Sequence, residues 1–208
     1  MKRIALFCDV TWNDETDPNP TNVYLLSQSV AAQDDAGNEQ RSEYFSGVGT
    51  EGRTRVRGGA WGMGLDDVVL TVYRRLCEIH DVGDEIYVFG FSRGAYTARS
   101  VCGLMRTAGI VAREHIAQVD EAMRIYRRRD PGGADSDRAK AFRAKYATVS
   151  ADPELLNCRR TDAPNAPSRM LRIQYLGVWD TVGALGVPER IPFSRFVNRR
   201  HRFHDCEL

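Results

Sequence analysis

The chain has 208 residues, of which 42% are hydrophobic and 27% charged, with a formal net charge of +1. Against a prior of roughly 150 residues per domain, that length suits one soluble globular domain with a core of its own, and so near-neutral a balance carries no electrostatic footprint for nucleic acid. The five cysteines, Cys8, Cys77, Cys102, Cys158 and Cys206, are odd in number, scattered and without a C-x-x-C pair, which argues against a disulfide framework or a zinc site and for synthesis in a reducing cytoplasm.

The N-terminal "MKRIALFCDV" has a basic start, but its apolar run is short and meets Asp9 at once, so it reads as a first strand and not as a signal peptide. Ile4 to Cys8 is a continuous apolar run of the kind buried on both faces of a parallel sheet. After the polar loop "DVTWNDETDPNPTN", Thr21 or Asn22 caps a predicted helix carrying Val23, Leu25, Leu26 and Val30. "EYFSGVG" reads as a second strand, and "GRTRVRGGAWGMG" as a glycine-rich loop. From Leu65 to Ile79 the apolar residues recur at spacings of three and four, which predicts an amphipathic helix. "DVGD" is a turn, "EIYVFGF" a strand, and Ala95 to Met105 a small-residue helix suited to close packing on a sheet. The Arg-rich stretch from about 112 to 169, broken at "DPGGADSD" and "TDAPNAPS", reads as a helical insertion in which Ile116, Val119, Met123 and Tyr126 share one face. "LRIQYLGVWDTVGALG" returns to strand character and ends in a polar-glycine turn. Apolar strands alternating with helices predict an α/β fold with a doubly wound, mostly parallel sheet. No apolar stretch approaches the roughly 20 residues of a membrane span.

The strand "EIYVFGF" delivers Gly90-Phe91-Ser92-Arg93-Gly94, a match to the G-x-S-x-G nucleophile elbow. A nucleophile on such a turn needs glycines two residues to either side, because side chains there would strike the adjoining strand or helix. The serine then stands at a helix N-terminus, where free amides and the dipole favour developing negative charge. A tight strand-to-helix turn with a capping serine would use Gly90, Ser92 and Gly94 equally well. In the hydrolase order Ser, Asp or Glu, His, the acid that fits is Asp180, which ends the apolar run "IQYLGVW" where open α/β sheets gather their ligands; Asp152 and Asp205 lie in weaker contexts. Asp9 follows the first strand in a similar position and could hold the loop "DVTWN" by accepting backbone N–H bonds. The oxyanion-hole donors would be the N–H of Arg93 and one from Val10 or Thr11.

Together "FCDVTWN", "TNV", "GVGT", "GMGLDD", "YVFGFSRGAYTAR" and "LGVWDTVGALG" resemble an α/β-hydrolase domain family of formerly unknown function that includes phospholipase effectors of the bacterial type VI secretion system. The resemblance runs over nearly the whole chain and implies one α/β-hydrolase-like domain over 1–208, with Ser92 as nucleophile and Asp180 as triad acid. It also implies a lipid or other ester substrate, contact with a membrane surface from outside, secretion-system or immunity-protein partners, and export by type VI secretion. Neither it nor the residues call for a cofactor or a metal. Two departures stand out. Val10 replaces the glycine that the family carries after the first-strand aspartate, and the triad histidine is not evident.

A neutral serine needs a histidine oriented by the acid, and the chain has four. His80 closes a helix and reads as a dipole partner at its C-terminus; His115 opens the insertion and reads as solvent-facing. His201 and His204 follow Asp180 in the right order, in "RFVNRRHRFHDCEL". The resemblance implies that the catalytic histidine lies beyond Leu208, in a domain incomplete at its C-terminus, with His204 the weaker candidate within the chain.

The segments "RIYRRRD" and "SRFVNRRHR" could meet anionic headgroups, at about 1 kcal/mol per basic residue near such a surface, or be solvated helix faces. Trp61, Tyr96 and Trp179 could line an acyl groove or pack in the core. Three readings follow. The leading one is a serine esterase acting on phospholipid acyl esters. The second is a catalytically incomplete module that only binds. The third, an Asp9-dependent phosphatase, lacks the second carboxylate that such chemistry uses.

Overall fold

The computed structural model describes residues 1–9, 19–47, 63–128, 130–152 and 169–181. Four strands, β1 (Lys2–Cys8), β2 (Glu39–Phe45), β3 (Glu85–Phe91) and β6 (Ile173–Trp179), form a parallel sheet in the order β2-β1-β3-β6. Helix α1 (Asn22–Ser29) connects β1 to β2, α2 (Met63–Ile79) connects β2 to β3, and α3 (Arg93–Ala108) follows β3. The chain is α/β with a mostly parallel sheet flanked by helices, as its strand and helix patterns predict.

Alternation along the strands assigns each face. Ile4, Leu6, Cys8, Ile86 and Val88 face one large cluster with Val69, Val72, Leu76, Ala98, Val101 and Leu104 from α2 and α3. Ala5 and Phe7 face the opposite way, with Val23 of α1 and the half-buried Tyr44, Tyr87, Phe89 and Phe91. The connection from β1 therefore runs to one side and one face, and that from β3 to the other. The switch between them lies at the carboxyl ends of β1 and β3, where open α/β sheets place their ligand crevice.

Several elements differ from the sequence reading. Strand β2 begins at Glu39, four residues before the predicted start at Glu43, because its polar start is an edge held by Arg41 to Glu43 at 2.7 Å and Arg75 to Glu43 at 2.9 Å. Leu25 is 51% exposed and not part of the α1 core face. Between α3 and β6 the chain is not wholly helical. A short strand β4 (Ile110–Val111) pairs antiparallel with β5 (Ala147–Val149), and between them lie a 3-10 helix (Arg113–Gln118), α4 (Val119–Arg128), a second 3-10 turn (Gly133–Asp135) and α5 (Asp137–Tyr146). Ile116 thus precedes α4 in a 3-10 helix, while Val119 and Met123 are buried in it as predicted. Arg143 is wholly buried and ties this region to α3, donating to the carbonyls of Thr107 at 2.9 Å and Ala134 at 2.6 Å and to Asp152 at 2.5 Å. No helix among the described residues is long and apolar enough to cross a membrane.

Candidate functional site

Strand β3 ends at Phe91, paired with Trp179, and beyond that pair the two chains turn away at Ser92 and Asp180. Ser92 has φ 53° and ψ −115°, and Asp180 has φ 49°. Among the described residues these are the two non-glycine residues with left-handed φ. Such backbone costs of order 1–3 kcal/mol per residue and persists where surrounding structure enforces it. The enforcement at Ser92 is visible, since its N–H donates to the Trp179 carbonyl at 2.9 Å and its own carbonyl accepts from Ala95 at 3.1 Å and Tyr96 at 3.3 Å.

The flanking glycines are steric requirements. A Cβ on Gly90 would stand 2.4 Å from the Gly94 carbonyl oxygen, and one on Gly94 would stand 2.1 Å from the Cys8 carbonyl oxygen and 2.7 Å from that of Asp9. The start of α3 is thereby pressed against the end of β1, at the switch point. Ser92 occupies the N-cap position, yet its side chain makes no capping bond, and the first turn of α3 contains no acidic residue. Helix α3 therefore offers its positive end without a side-chain cap of its own, with the Arg93 N–H in its first turn. The Arg93 guanidinium is half-buried, and loss of water lowers its pKa.

Asp9, one residue past β1, is 3% exposed. Its Oδ2 accepts from the Tyr44 hydroxyl at 2.7 Å and from the Thr21 hydroxyl. The loop amides that Asp9 is expected to hold lie outside the described residues; within them its carboxylate accepts from hydroxyls at the start of α1 and on β2, two partners that sequence reading missed. Thr21 is legible as an N-cap, and it does accept from the Tyr24 N–H at 3.1 Å; its second bond depends on tertiary placement alone. A carboxylate so enclosed is not the open nucleophile that the phosphatase reading requires. Cys8 beside it is fully buried and desolvation pushes its thiol pKa upward, so it is no nucleophile either.

Val10, Thr11, Trp61, His201, His204 and Asp205 lie outside the described residues. The two described histidines stand at the other end of the sheet. His80 is buried just after α2, and its neighbours Lys2, Asp81 and Asp84 mark the amino ends of β1 and β3; burial lowers its pKa to about 4. It is therefore neutral at physiological pH rather than a charged dipole partner. His115 is half-buried edge-on against Tyr146, with ring centroids 5.3 Å apart, and not solvent-facing. Asp152 belongs to the Arg143 pair. Asp180 is exposed, and Trp179 before it is 39% exposed with its ring over Phe89 at 6.3 Å. Tyr96 is half-buried in α3. Three arginines of "RIYRRRD" are charge-balanced by neighbours, Arg124 by Glu121, Arg127 by Asp66, and Arg128 by Asp130 at 3.1 Å, while Arg129 lies outside the described residues.

The profile for the catalytic domain of Tle1-like phospholipase effectors of the type VI secretion system matches residues 2–208. The chain belongs to this family. It is also similar to uncharacterized protein YEL023C of Saccharomyces cerevisiae, 25% identical over 202 residues. That alignment covers 89% of this chain and 27% of the yeast protein, so the chain spans about a quarter of its relative's length. Such similarity is not confined to bacteria. No solved structure matches the chain significantly.

Proposed function

We propose that the chain is a serine hydrolase that cleaves carboxylic esters, and in particular the acyl esters of phospholipids. The observation that carries this reading is the pair of left-handed residues, Ser92 and Asp180, that directly follow the paired ends of the adjacent strands β3 and β6, beside the switch point. Neighbouring strands lie about 4.8 Å apart, which suits a nucleophile and an acid acting through one imidazole. The uncapped start of α3 and the absence of a capping bond from Ser92 favour the nucleophile over a capping serine.

In the mechanism, Ser92 Oγ attacks the acyl carbonyl carbon as its proton passes to a histidine that follows Asp180 in the chain, of which His204 is the candidate within these residues. Asp180 orients that imidazole and stabilises its charged form. The N–H of Arg93, with one from Val10 or Thr11, holds the oxyanion. The lysolipid alcohol leaves with the proton, and water then releases the fatty acid from the acyl-serine. Family membership supports a lipid substrate, action at a membrane surface and delivery by a secretion system with its attendant partners. The balanced arginines of α4 give no separate support to a membrane-binding patch.

A fluorophosphonate probe tests the assignment. The chain is expected to form a covalent adduct that Ser92→Ala abolishes. Absence of labelling, or labelling that survives the substitution, overturns it.

A further inference from the structure

We infer that the guanidinium of Arg93 is a specificity-determining group, which takes a phosphate carried by the ester substrate while the main-chain N–H of the same residue serves the oxyanion. This rests on the hydrolase reading above and narrows it to esters that bear a phosphate.

Arg93 is the first residue of α3, directly after Ser92. Its main chain is fixed on three sides. The Ser92 N–H is held on the Trp179 carbonyl at 2.9 Å, the Thr97 hydroxyl donates to the Arg93 carbonyl at 3.3 Å, and Gly94 is pressed against the Cys8 carbonyl. The side chain is not held in this way. Among the described residues the half-buried guanidinium has no carboxylate, carbonyl or ring as partner. Half-buried arginines elsewhere in the fold are paired: Arg3 with Asp34 and Glu85, Arg75 with Glu43, Arg127 with Asp66. Those acids raise the pKa of Arg3 and Arg75, whereas at Arg93 loss of water acts alone and lowers it. The acids at this end of the sheet are placed otherwise. Asp9 is enclosed by the Thr21 and Tyr44 hydroxyls, and Asp180, exposed after β6, makes no ion pair with Arg93.

Three costs therefore coincide at one side chain. A cation at a helix N-terminus opposes the dipole, partial burial strips its water, and no counter-ion offsets that loss. The guanidinium adds to the positive end of α3, which has neither a Ser92 cap nor an acidic residue in its first turn. The group that complements this charge is an anion, and the planar fork of arginine matches pairs of phosphate oxygens. In a phosphorylated acylglycerol the phosphate stands a few bonds from the acyl carbonyl, so a cation one residue beyond the nucleophile suits it. The surroundings favour a phosphate on a lipid over free phosphate. Tyr175 and Trp179 are exposed on the neighbouring strand, both against the Phe89 ring, at 5.5 and 6.3 Å between centroids.

The test compares two soluble substrates with the same acyl chains, dihexanoylphosphatidylglycerol and dihexanoylglycerol, with inorganic phosphate as a separate inhibitor. The variants are Arg93→Gln, which removes the charge, and Arg93→Lys, which keeps it. Both esters are measured on one preparation, so any unfolded fraction cancels from the ratio of their kcat/KM values. That ratio, phospholipid over neutral ester, is expected to fall roughly ten- to hundredfold in Arg93→Gln and by less in Arg93→Lys. Equal losses on both esters would assign the guanidinium to the oxyanion or to the fold and overturn the inference. An unchanged ratio overturns it too, and if phosphate still inhibits the unsubstituted chain but not Arg93→Gln, the group serves free phosphate instead. Absence of Ser92-dependent turnover of either ester in the unsubstituted chain overturns the hydrolase reading itself.

Discussion

At the amino ends of the strands, Lys2 Nζ lies 2.6 Å from Asp81 and 2.5 Å from Asp84, and Asp84 also accepts the main-chain N–H groups of Lys2 and Asp81 at 2.9 and 2.8 Å. Arg113 closes the group on the His80 carbonyl at 3.1 Å and on Asp81 at 2.8 Å. At the carboxyl ends, Ser92 and Asp180 hold left-handed backbone, α3 begins without a side-chain cap, and a buried carboxylate joins three elements. One end obeys local rules and the other breaks them. Departures from local preference concentrate where a protein does its chemistry, so the contrast supports the proposed site independently of any motif.

The comparison can be broken at either end. The largest expected effect is at Gly94, where an added Cβ meets the Cys8 carbonyl oxygen at 2.1 Å and the obstacle is backbone. Gly94→Ala should destabilise the fold by about 3 kcal/mol, read by urea unfolding; a loss below about 1 kcal/mol would mean that α3 can lift from β1.

Among the described residues at the amino end, His80 is the discordant group. Its Nδ1 is buried without a hydrogen-bond partner, and burial holds its pKa near 4, against about 6.5 unfolded. Below pH 6.5 the unfolded chain gains a proton that the folded chain refuses. Stability from this group is therefore full above about pH 6.5, falls as the pH drops towards 4 and levels below it. The loss amounts to about 3 kcal/mol. Asp34 and Asp81, whose partners hold their carboxyls below the ordinary value, act at lower pH. His80→Leu should flatten the stability profile between pH 6.5 and 4; an unaltered slope would show that other groups set it.

Most of the architecture was legible because apolar periodicity and the two-face alternation of β3 are direct consequences of burial. Strand β2 was read short because an edge strand next to Arg75 can begin with charged residues. Strands β4 and β5, of two and three residues, carry too few positions for any pattern. At the proposed site, the strand-to-helix turn around Gly90, Ser92 and Gly94 was legible because steric demands act over a few residues, and the strand end at Asp180 because it closes an apolar run. The hydroxyl partners of Asp9 were not, since Thr21 and Tyr44 lie 12 and 35 residues away and only the fold brings them together. His80 gave no sequence signal of its burial.

The central claim is that the left-handed backbone at Ser92 is kept for chemistry at a cost to the fold. Its most direct test is the difference in unfolding free energy between Ser92→Gly and Ser92→Ala. Both lack the hydroxyl, and only glycine relaxes at φ 53°. The account predicts that Ser92→Gly is the more stable by about 1 kcal/mol; equal stability, or a more stable Ser92→Ala, would contradict it.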